Sequence, residues 1–341
     1  GEAREVKHGI WGPVAIFVVN KPGLSGGIVS IIMTVTALNV FNLDFEFDQV
    51  KSFPKDLPSR EGYEIVEEEF DKGALAPTSI LFESDEALTE ENIEALRATL
   101  ANQDDVASVR LTNTSEDAKA VSYSMSLALN PYSVEALDLV EELRNNSGEL
   151  LKDSGVAGDL YDSGITPKLV DEREVNSSDI WKIVIMETVL ILVLLFVLTK
   201  SFKMPFYMMA TILISFLSAL GLGIFLVDVL FGYDAVSTRV PVYAFIFLVA
   251  LGIDYNIILV SRFLEERKKH KVKEALEIAI RNTGGVISSA GLILAATFAA
   301  LMTMPIADLF VFGFIVAIGI LMDTFLVRGM LLPALILFFE K

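Results

Sequence analysis

Asp254 and Tyr255 are neighbours in an apolar stretch of the sequence that begins near Val240. If a helix enters a bilayer near Val240, Asp254 lies about 21 Å along it, at about 1.5 Å per residue, inside a hydrocarbon core roughly 30 Å thick. A carboxylate at that depth is costly, and it is tolerated where it faces the protein interior or a water-filled path. The phenol of Tyr255 is available to hydrogen-bond to it. We therefore expect Asp254 to take up and release a proton; the alternative is a permanently protonated carboxyl group that holds helices together.

Four other residues in the apolar stretches are candidates for a path or a gate. Glu187 lies near the outer end of its stretch, where it either lines a lipid-accessible groove or extends to the outer interface. Ser288 and Ser289 either line a proton path or allow close helix packing, and packing is the commoner role of small residues in membrane helices. We expect Gly252 to let a neighbouring helix approach closely.

Charged residues also occur at the ends of apolar stretches. Arg262, Glu265 and Glu266 follow the stretch that contains Asp254, and a structural network of ion pairs is favoured there over a direct role in proton transfer. Asp323 and Arg328 lie near the predicted cytoplasmic end of the last stretch. We expect them to form an ion pair that anchors the helix end.

The apolar residues occur in blocks that are long enough to cross a bilayer. Hydrophobic residues make up 53% of the 341 residues, and the mean hydropathy is +0.54, which is too apolar for an ordinary soluble protein. Residues 8–22 have the pattern of an interfacial helix that leads into the first span. The lengths of the blocks predict six spans, at residues 24–43, 180–199, 205–227, 239–261, 284–304 and 307–328.

Positive charges orient these spans. Lys200 and Lys203 lie between the second and third spans, and a cluster of Lys and Arg lies between the fourth and fifth. Because cytoplasmic loops carry the excess of Lys and Arg, we expect both connections, and both termini, to be cytoplasmic. Residues 44–179 and the short connection at Tyr233-Asp234 then face outward.

The outward segment is strongly acidic. Residues 44–178 contain 31 Asp and Glu but 11 Lys and Arg, a net charge of −20, whereas the whole chain carries −18. The rest of the chain is therefore close to neutral. With no basic patch to meet phosphates, nucleic acid is excluded as a partner.

The same segment has the pattern of a compact α+β domain. Strand-like and helical stretches alternate in the order β-α-β-β-α-β, which is a split βαβ layout. The second helix is expected at residues 133–154 and the last strand near 156–162. This layout requires an additional early strand or frayed ends. The predicted fold is thus an α-helical membrane protein of six transmembrane helices with an extracytoplasmic α+β domain after the first. Its parts are a lead-in with the first helix, the outer domain, and five helices with a cytoplasmic loop at 262–282; they span residues 1–43, 44–179 and 180–341.

The sequence has no cysteine and two histidines, His8 and His270. Disulfides, thiolate metal sites and cysteine nucleophiles are therefore excluded. Both histidines lie in basic segments, which argues against a histidine metal site or a catalytic triad. We expect no enzymatic activity, no metal and no cofactor, with protons as the coupling ion.

Several motifs together resemble a known family. The residues around Asp254 look like the signature of the MMPL (mycobacterial membrane protein large) transporters, a branch of the resistance-nodulation-division superfamily. The resemblance covers essentially the whole chain. The motifs are Gly252-Ile253-Asp254-Tyr255, Ser261-Arg262-Phe263-Leu264-Glu265-Glu266, residues 283–292, and Asp323 with Val327-Arg328.

This resemblance implies an architecture and partners. One span, an outer porter domain and five further spans are the layout of one half of such a transporter, and the lead-in at 17–22 resembles that of the second half. We expect this chain to be a C-terminal half. Its partners would be membrane lipids and the N-terminal half of the same transporter, or a second homologous half.

The resemblance also implies a mechanism. Asp254 is expected to be the proton acceptor and Tyr255 its hydrogen-bonding partner, facing the equivalent pair of the other half. The expected function is export of lipids or hydrophobic small molecules across or from the bacterial plasma membrane, driven by the proton-motive force. Two alternatives remain: an accessory to protein translocation similar to SecDF, and a membrane scaffold that transports nothing.

Overall fold

The computed structural model of this chain describes residues 9–54, 56–70, 72–233 and 235–340. His8, with the rest of the first eight residues, and Asp234, in the predicted outer connection, lie outside the described residues. The chain forms two compact units. One combines Gly1–Phe45 with Trp181–Lys341, and the other is Glu46–Ile180.

Most of the described residues are helical. A π-helical segment, Asp323–Leu331, connects the last two α-helices without a break. The α-helices are α1 Trp11–Asn20, α2 Pro22–Leu38, α3 Pro58–Glu69, α4 Glu90–Ala101, α5 Val134–Asn145, α6 Ser147–Asp153, α7 Ile165–Thr199, α8 Met204–Phe231, α9 Arg239–Arg267, α10 Val272–Ala299, α11 Ala307–Met322 and α12 Leu332–Phe339. The strands are β1 Phe45–Glu46, β2 Thr78–Glu83, β3 Val106–Thr114, β4 Ala120–Leu127, β5 Asp159–Ser163 and β6 Val236–Ser237.

Six helical segments of the described chain are long and apolar enough to cross a membrane, as the sequence predicts. A span needs about 20 predominantly apolar residues, and each segment reaches that length. The segments are Pro22–Asn42, Ile165–Thr199, Met204–Phe231, Arg239–Arg267, Val272–Thr303 and Ala307–Phe339.

The predicted cytoplasmic loop at 262–282 is shorter in the structure than in the sequence-based prediction. α9 continues to Arg267, and α10 already begins at Val272. Ala275, Leu276 and Ala279 are fully buried in the helical bundle. The second half of the predicted loop therefore forms the first turns of α10, because one continuous helix buries its apolar face against its neighbours.

The lead-in helix also differs from its prediction. α1 was expected at a membrane interface, but its apolar side packs into the bundle, where Trp11, Ala15, Val18 and Val19 are buried. The indole of Trp11 lies parallel to the ring of Phe325, with centroids 6.2 Å apart. An amphipathic pattern does not distinguish a helix that covers protein from one that covers lipid.

The second unit has the predicted split βαβ topology. Its four strands pair in the order β3-β4-β2-β5, and β2 is antiparallel to both of its neighbours. The residues alternate along β2, so that Ile80 and Phe82 point into the core with Tyr123 of β4. Buried residues of α4, α5 and α6 complete that core, including Leu96, Leu137 and Leu150.

Two details of this unit differ from the prediction. The helix expected at 133–154 is divided at Asn146 into α5 and α6, because Asn146 leaves the helical conformation at the end of α5. The last strand, expected near 156–162, is β5 at Asp159–Ser163. The additional early strand that the prediction considered is not needed, since four described strands already complete the topology.

Candidate functional site

Asp254 lies on the side of α9 that this chain leaves uncovered. Its side chain is exposed, and no hydrogen bond or ion pair joins it to another of the described residues. Tyr243, Phe247 and Ile258 are also exposed and lie on the same side of the helix, since residues three, four, seven and eleven apart share a helix face. The carboxylate is therefore surrounded by exposed apolar side chains near the middle of a 29-residue helix.

Tyr255 points to a different side of α9. Consecutive residues on a helix are about 100° apart, and Tyr255 turns toward the inside of the bundle. There the guanidinium carbon of Arg328 lies 3.9 Å from the centroid of the phenol ring. The predicted hydrogen bond between Asp254 and Tyr255 is not among the bonds of the described residues. Instead, Asp254 faces the uncovered surface of α9, and Tyr255 faces Arg328 in the bundle.

Asp323 and Arg328 form that buried ion pair. Nη2 of Arg328 donates to Oδ2 of Asp323, and the two residues are only 6% and 3% exposed. The sequence predicts the end of the last span at 328, but the apolar helical segment continues to Phe339. Asp323 and Arg328 therefore lie within this helical segment and not at its end, and their charges neutralise each other there.

The π-helical segment explains how residues five apart meet. In an α-helix a separation of five residues turns the side chains about 140° apart, at about 100° per residue. A π-helix widens the turn and makes i→i+5 hydrogen bonds, so that Asp323 and Arg328 share one side. Such segments are often found at functional sites, and nothing in the sequence predicts this one.

Ser288 and Ser289 occupy different environments. Ser288 accepts a 2.7 Å hydrogen bond from Nε1 of Trp11 and donates to the carbonyl of Gly284 at 2.7 Å. It thus fixes α1 to α10. Ser289 is exposed and donates to the carbonyl of Gly285 at 2.7 Å. Ser288 has the geometry of a packing residue, whereas Ser289 lies on the uncovered side of α10.

The last two candidates for a path or gate are Gly252, near the buried ion pair, and Glu187, on α7. A Cβ on Gly252 would be 3.5 Å from Ile212 and 4.0 Å from Oδ2 of Asp323. These are ordinary contact distances, so the predicted need for glycine as a close-approach residue is not supported at this position. Glu187 is half-buried on α7, and no hydrogen bond or ion pair joins it to the rest of the described chain.

The charged motif after α9's apolar part forms a small network. Arg262 pairs with Glu265 at 2.9 Å and with Glu266 at 2.6 Å. His270 lies 3.7 Å from Glu266. The paired residues are three or four positions apart, and His270 lies just after the end of α9. Ion pairs that remain open to solvent contribute little stability individually. The network lies at the C-terminal end of α9, and none of its ion pairs includes Asp254.

Sequence reasoning missed Asn256 and Thr324. Both are completely buried, and neither side chain has a hydrogen-bond partner among the described residues. Asn256 is two residues after Asp254, but an amide in an apolar run is a weaker signal of function than a carboxylate, because it carries no charge. Within the described ranges, no group of three or more His, Asp or Glu side chains is placed to hold a metal ion.

Six membrane-length helices, with an α+β unit between the first and the second, define a multi-pass membrane protein. A family model described as the MMPL family matches residues 51–340. This chain belongs to that family, as the resemblance of its motifs predicted.

Named relatives agree with this assignment. The chain is 38% identical over 303 residues to the apo-petrobactin exporter of Bacillus anthracis, covering 86% of this chain and 39% of the exporter. It is 35% identical over 236 residues to the probable transport protein MmpL10 of Mycobacterium leprae, covering 69% of this chain and 23% of that protein. It is also 36% identical over 222 residues to the probable transport protein MmpL12 of Mycobacterium tuberculosis, covering 65% and 19%. This chain therefore spans about two fifths of the exporter's length and a smaller share of the other two relatives.

Proposed function

We propose that this chain is one half of a proton-driven exporter in the bacterial plasma membrane, which moves lipids or hydrophobic small molecules. Membership of the MMPL family and the names of the relatives support export in general. One relative is named as an exporter of apo-petrobactin, so small molecules belong in the substrate class beside lipids. In this proposal Asp254 accepts and releases the coupling proton.

The position of Asp254 is the observation that carries the proposal. A carboxylate near the middle of a membrane helix is not stable against lipid and faces a protein interior or a water-filled path. Asp254 is nevertheless exposed on the surface of this chain. A second half that covers α9 provides the interior that this carboxylate requires.

The uncovered side of α10 supports the same pairing. Val286 and Ile293 are 64% and 69% exposed, and Ser289 lies between them on the same side of the helix. α9 and α10 pack against each other, so their uncovered sides form one broad apolar surface around Asp254. The partner is the N-terminal half of the same transporter or a second homologous half, as in transporters built from repeated halves.

The loose packing of one end of α7 supports substrate entry from the outer leaflet. Val184 and Thr188 are only partly buried, whereas Ile191 and Leu195, on the same side of α7 but nearer the other end, are buried. α7 therefore packs against the bundle mainly through its second half. The open side next to Glu187 gives a lipid or a hydrophobic molecule access to the bundle.

The distribution of positive charge supports the orientation. Lys268, Lys269 and Lys271 are exposed between α9 and α10, and Lys273 is exposed in the first turn of α10. Lys200 is exposed between α7 and α8. By the positive-inside rule these connections are cytoplasmic. The unit Glu46–Ile180 is then extracytoplasmic, and both termini are cytoplasmic.

Asp254→Asn in the full-length protein tests the proposal. Asn keeps the size and polarity of the side chain but does not ionise. Because Asp254 makes no contact within this chain that Asn would lose, the variant is expected at wild-type abundance in the membrane. Mass spectrometry of cell extracts and culture medium should then find, inside the variant cells, the compounds that wild-type cells export. Wild-type cells treated with a protonophore, which collapses the proton gradient, should retain the same compounds.

Two controls define the result. Ile258→Val changes the same helix face one turn away without a titratable group, and it should export normally. Asp254→Glu keeps the titratable carboxyl group and should restore part of the export. Normal export by Asp254→Asn would overturn the proposed proton-carrying role of Asp254.

A further inference from the structure

A group of buried polar atoms beside the Asp323–Arg328 pair has no protein partner. Both polar atoms of the Asn256 amide, Oγ1 of Thr324, Oδ1 of Asp323, and Nε and Nη1 of Arg328 all lack hydrogen bonds within the described chain. All four residues are less than a tenth exposed. Buried polar groups in native proteins are almost always hydrogen-bonded, and each exception calls for an explanation.

The geometry puts these residues in one place. Asp323, Thr324 and Arg328 belong to the π-helical segment. Asn256 lies one turn after Gly252, whose added Cβ would be 4.0 Å from Oδ2 of Asp323. It also lies one turn before Leu259, and these three residues share one side of α9. The amide therefore faces the π-helical segment.

A small cavity adjoins the same group. It is lined by side chains of α1, α9, α10 and the π-helical segment, and its volume is about 10 Å³. That volume is close to the minimum of roughly 10–15 Å³ for one water molecule. The lining residues are Trp11, Leu259, Ile280, Thr283, Gly284, Ile287, Thr324 and Arg328. Arg328 and Thr324 thus contribute both to the cavity and to the unpartnered atoms.

We propose that this pocket, formed by Asn256, Thr324, Arg328 and the cavity beside them, is a binding site for internal water. A buried water makes about three hydrogen bonds to otherwise unsatisfied groups. The Arg328 guanidinium and the Asn256 amide nitrogen donate to it. The water in turn donates its two hydrogens to the Asn256 carbonyl oxygen and the Thr324 hydroxyl oxygen. The bound water joins α9 to the π-helical segment.

Trp11 closes one side of this site. A Cβ on Gly284 would be 2.4 Å from Cγ of Trp11, so the glycine leaves room for the indole directly against α10. The indole N–H is already bonded to Ser288. The ring therefore contributes an apolar wall to the pocket and no further polar group. The proposal does not depend on export, since it concerns hydration of the bundle in any state.

Radiolytic footprinting of the purified protein in mild detergent tests the site. X-rays produce hydroxyl radicals from bound water, and these label the nearest side chains. Leu259 and Ile287 line the cavity although they are only 2% and 3% exposed. Leu195 and Ile336, which are fully buried outside it, are the matched leucine and isoleucine controls. We expect labelling of Leu259 and Ile287 to be severalfold faster than that of both controls. Equal or slower labelling overturns the proposal.

Asn256→Leu provides the second measurement. Leu has a similar size but no polar atoms, so it removes two of the proposed contacts to water. We expect the labelling of Leu259 and Ile287 to fall to the control rate and the Tm to decrease. If the amide were simply unsatisfied, its removal would raise the Tm, because an unsatisfied buried polar group is destabilising. A raised Tm, or unchanged labelling, overturns the proposal. Asn282→Leu, at an exposed position of α10, controls for the general effect of the substitution.

Discussion

The guanidinium of Arg328 lies over the ring of Tyr255, with 3.9 Å between the guanidinium carbon and the ring centroid. The phenol that follows Asp254 in the sequence therefore packs on the ion pair of the last span. A cation over an aromatic face is attracted by the negative potential of the ring, and the attraction grows when both groups are desolvated. This contact joins α9 to the π-helical segment. A change in the position of α9 at Asp254 would therefore act directly on the ion pair through the neighbouring Tyr255.

Tyr255→Phe separates the ring of Tyr255 from its hydroxyl group. Phe keeps the aromatic face under Arg328, so we expect thermal stability in detergent close to that of the wild type. Tyr255→Leu removes the ring as well and should destabilise the protein by about 0.5–2 kcal/mol. If the hydroxyl takes part in the proton relay, as the resemblance of the motif implies, both variants lose export. Export by Tyr255→Phe at the wild-type level would limit the role of Tyr255 to packing.

Removing one charge of the Asp323–Arg328 pair should be far more harmful than removing both. Asp323→Asn leaves the Arg328 guanidinium buried without a counter-charge, and breaking such a pair typically costs about 3–5 kcal/mol. The double variant Asp323→Leu with Arg328→Met replaces the pair by apolar side chains of comparable size. Such replacements are often neutral or stabilising. Thermal unfolding of Asp323→Leu, Arg328→Met and the double variant measures the coupling.

Additive effects of the two single substitutions would contradict this prediction, because they would mean that the charges do not stabilise each other. Lys168→Met provides the control. Lys168 pairs with Glu172 at 3.5 Å on α7, and their side chains are 65% and 38% exposed. Exposed pairs contribute about 0–1 kcal/mol, and the change in Tm should be correspondingly small.

The membrane-spanning helices and the topology of the outer unit were predictable because each depends on a local pattern. Apolar runs longer than about 20 residues define spans, and alternation along β2 defines which residues, such as Ile80 and Phe82, point into the core. The antiparallel order β3-β4-β2-β5 then follows from the β-α-β-β-α-β sequence of elements.

The interior of the helical bundle was less predictable, because it depends on contacts between distant residues. The burial of Trp11 against Gly284 joins positions 273 residues apart, and no periodicity of α1 indicates its partner. The pairing of Asp323 with Arg328 requires a π-helical turn, which has no sequence signature here. Asp254 itself was found from the sequence, but its exposure on this chain was not, since apolar residues surround it on every side of α9.

Gly284→Ala should destabilise the protein, whereas Gly285→Ala should not. The new Cβ at position 284 would be 2.4 Å from Trp11, but no atom lies within 4 Å of a Cβ at position 285. Overpacking of this kind costs about 1–3 kcal/mol, while alanine at an open helical position gains about 0.5–1 kcal/mol over glycine. Thermal unfolding of the two variants compares the same chemical change one residue apart on α10. Adding Trp11→Ala to Gly284→Ala should abolish the difference between alanine and glycine at 284; a persisting difference would mean that Trp11 is not the obstacle.

Tyr123 should make the outer unit sensitive to alkali. It is fully buried, and its hydroxyl donates to the carbonyl of Ile93 at 2.9 Å. Burial raises the pKa of Tyr123 from 10.0 to about 12, with a smaller contribution from Glu94. Between these values the unfolded chain releases the phenol proton while the folded chain retains it. Stability is therefore complete below about pH 10 and is lost as the pH rises toward 12.

Tyr123→Phe tests this pH dependence, because phenylalanine has no proton to release in either state. The lost hydrogen bond should cost about 0.5–1.5 kcal/mol at pH 8, but the decrease in stability between pH 10 and 11 should be shallower than in the wild type. Each unit of difference between the folded and unfolded pKa corresponds to about 1.4 kcal/mol. Chemical denaturation in detergent, followed by near-ultraviolet circular dichroism at pH 8, 10 and 11, measures both effects. Tyr161→Phe, on the exposed side of β5, should leave the slope unchanged. An unchanged, wild-type slope in Tyr123→Phe would show that other groups control the alkaline unfolding. Tyr63 would then be the next residue to replace. Burial and its hydrogen bond to Asp48 also raise the pKa of Tyr63.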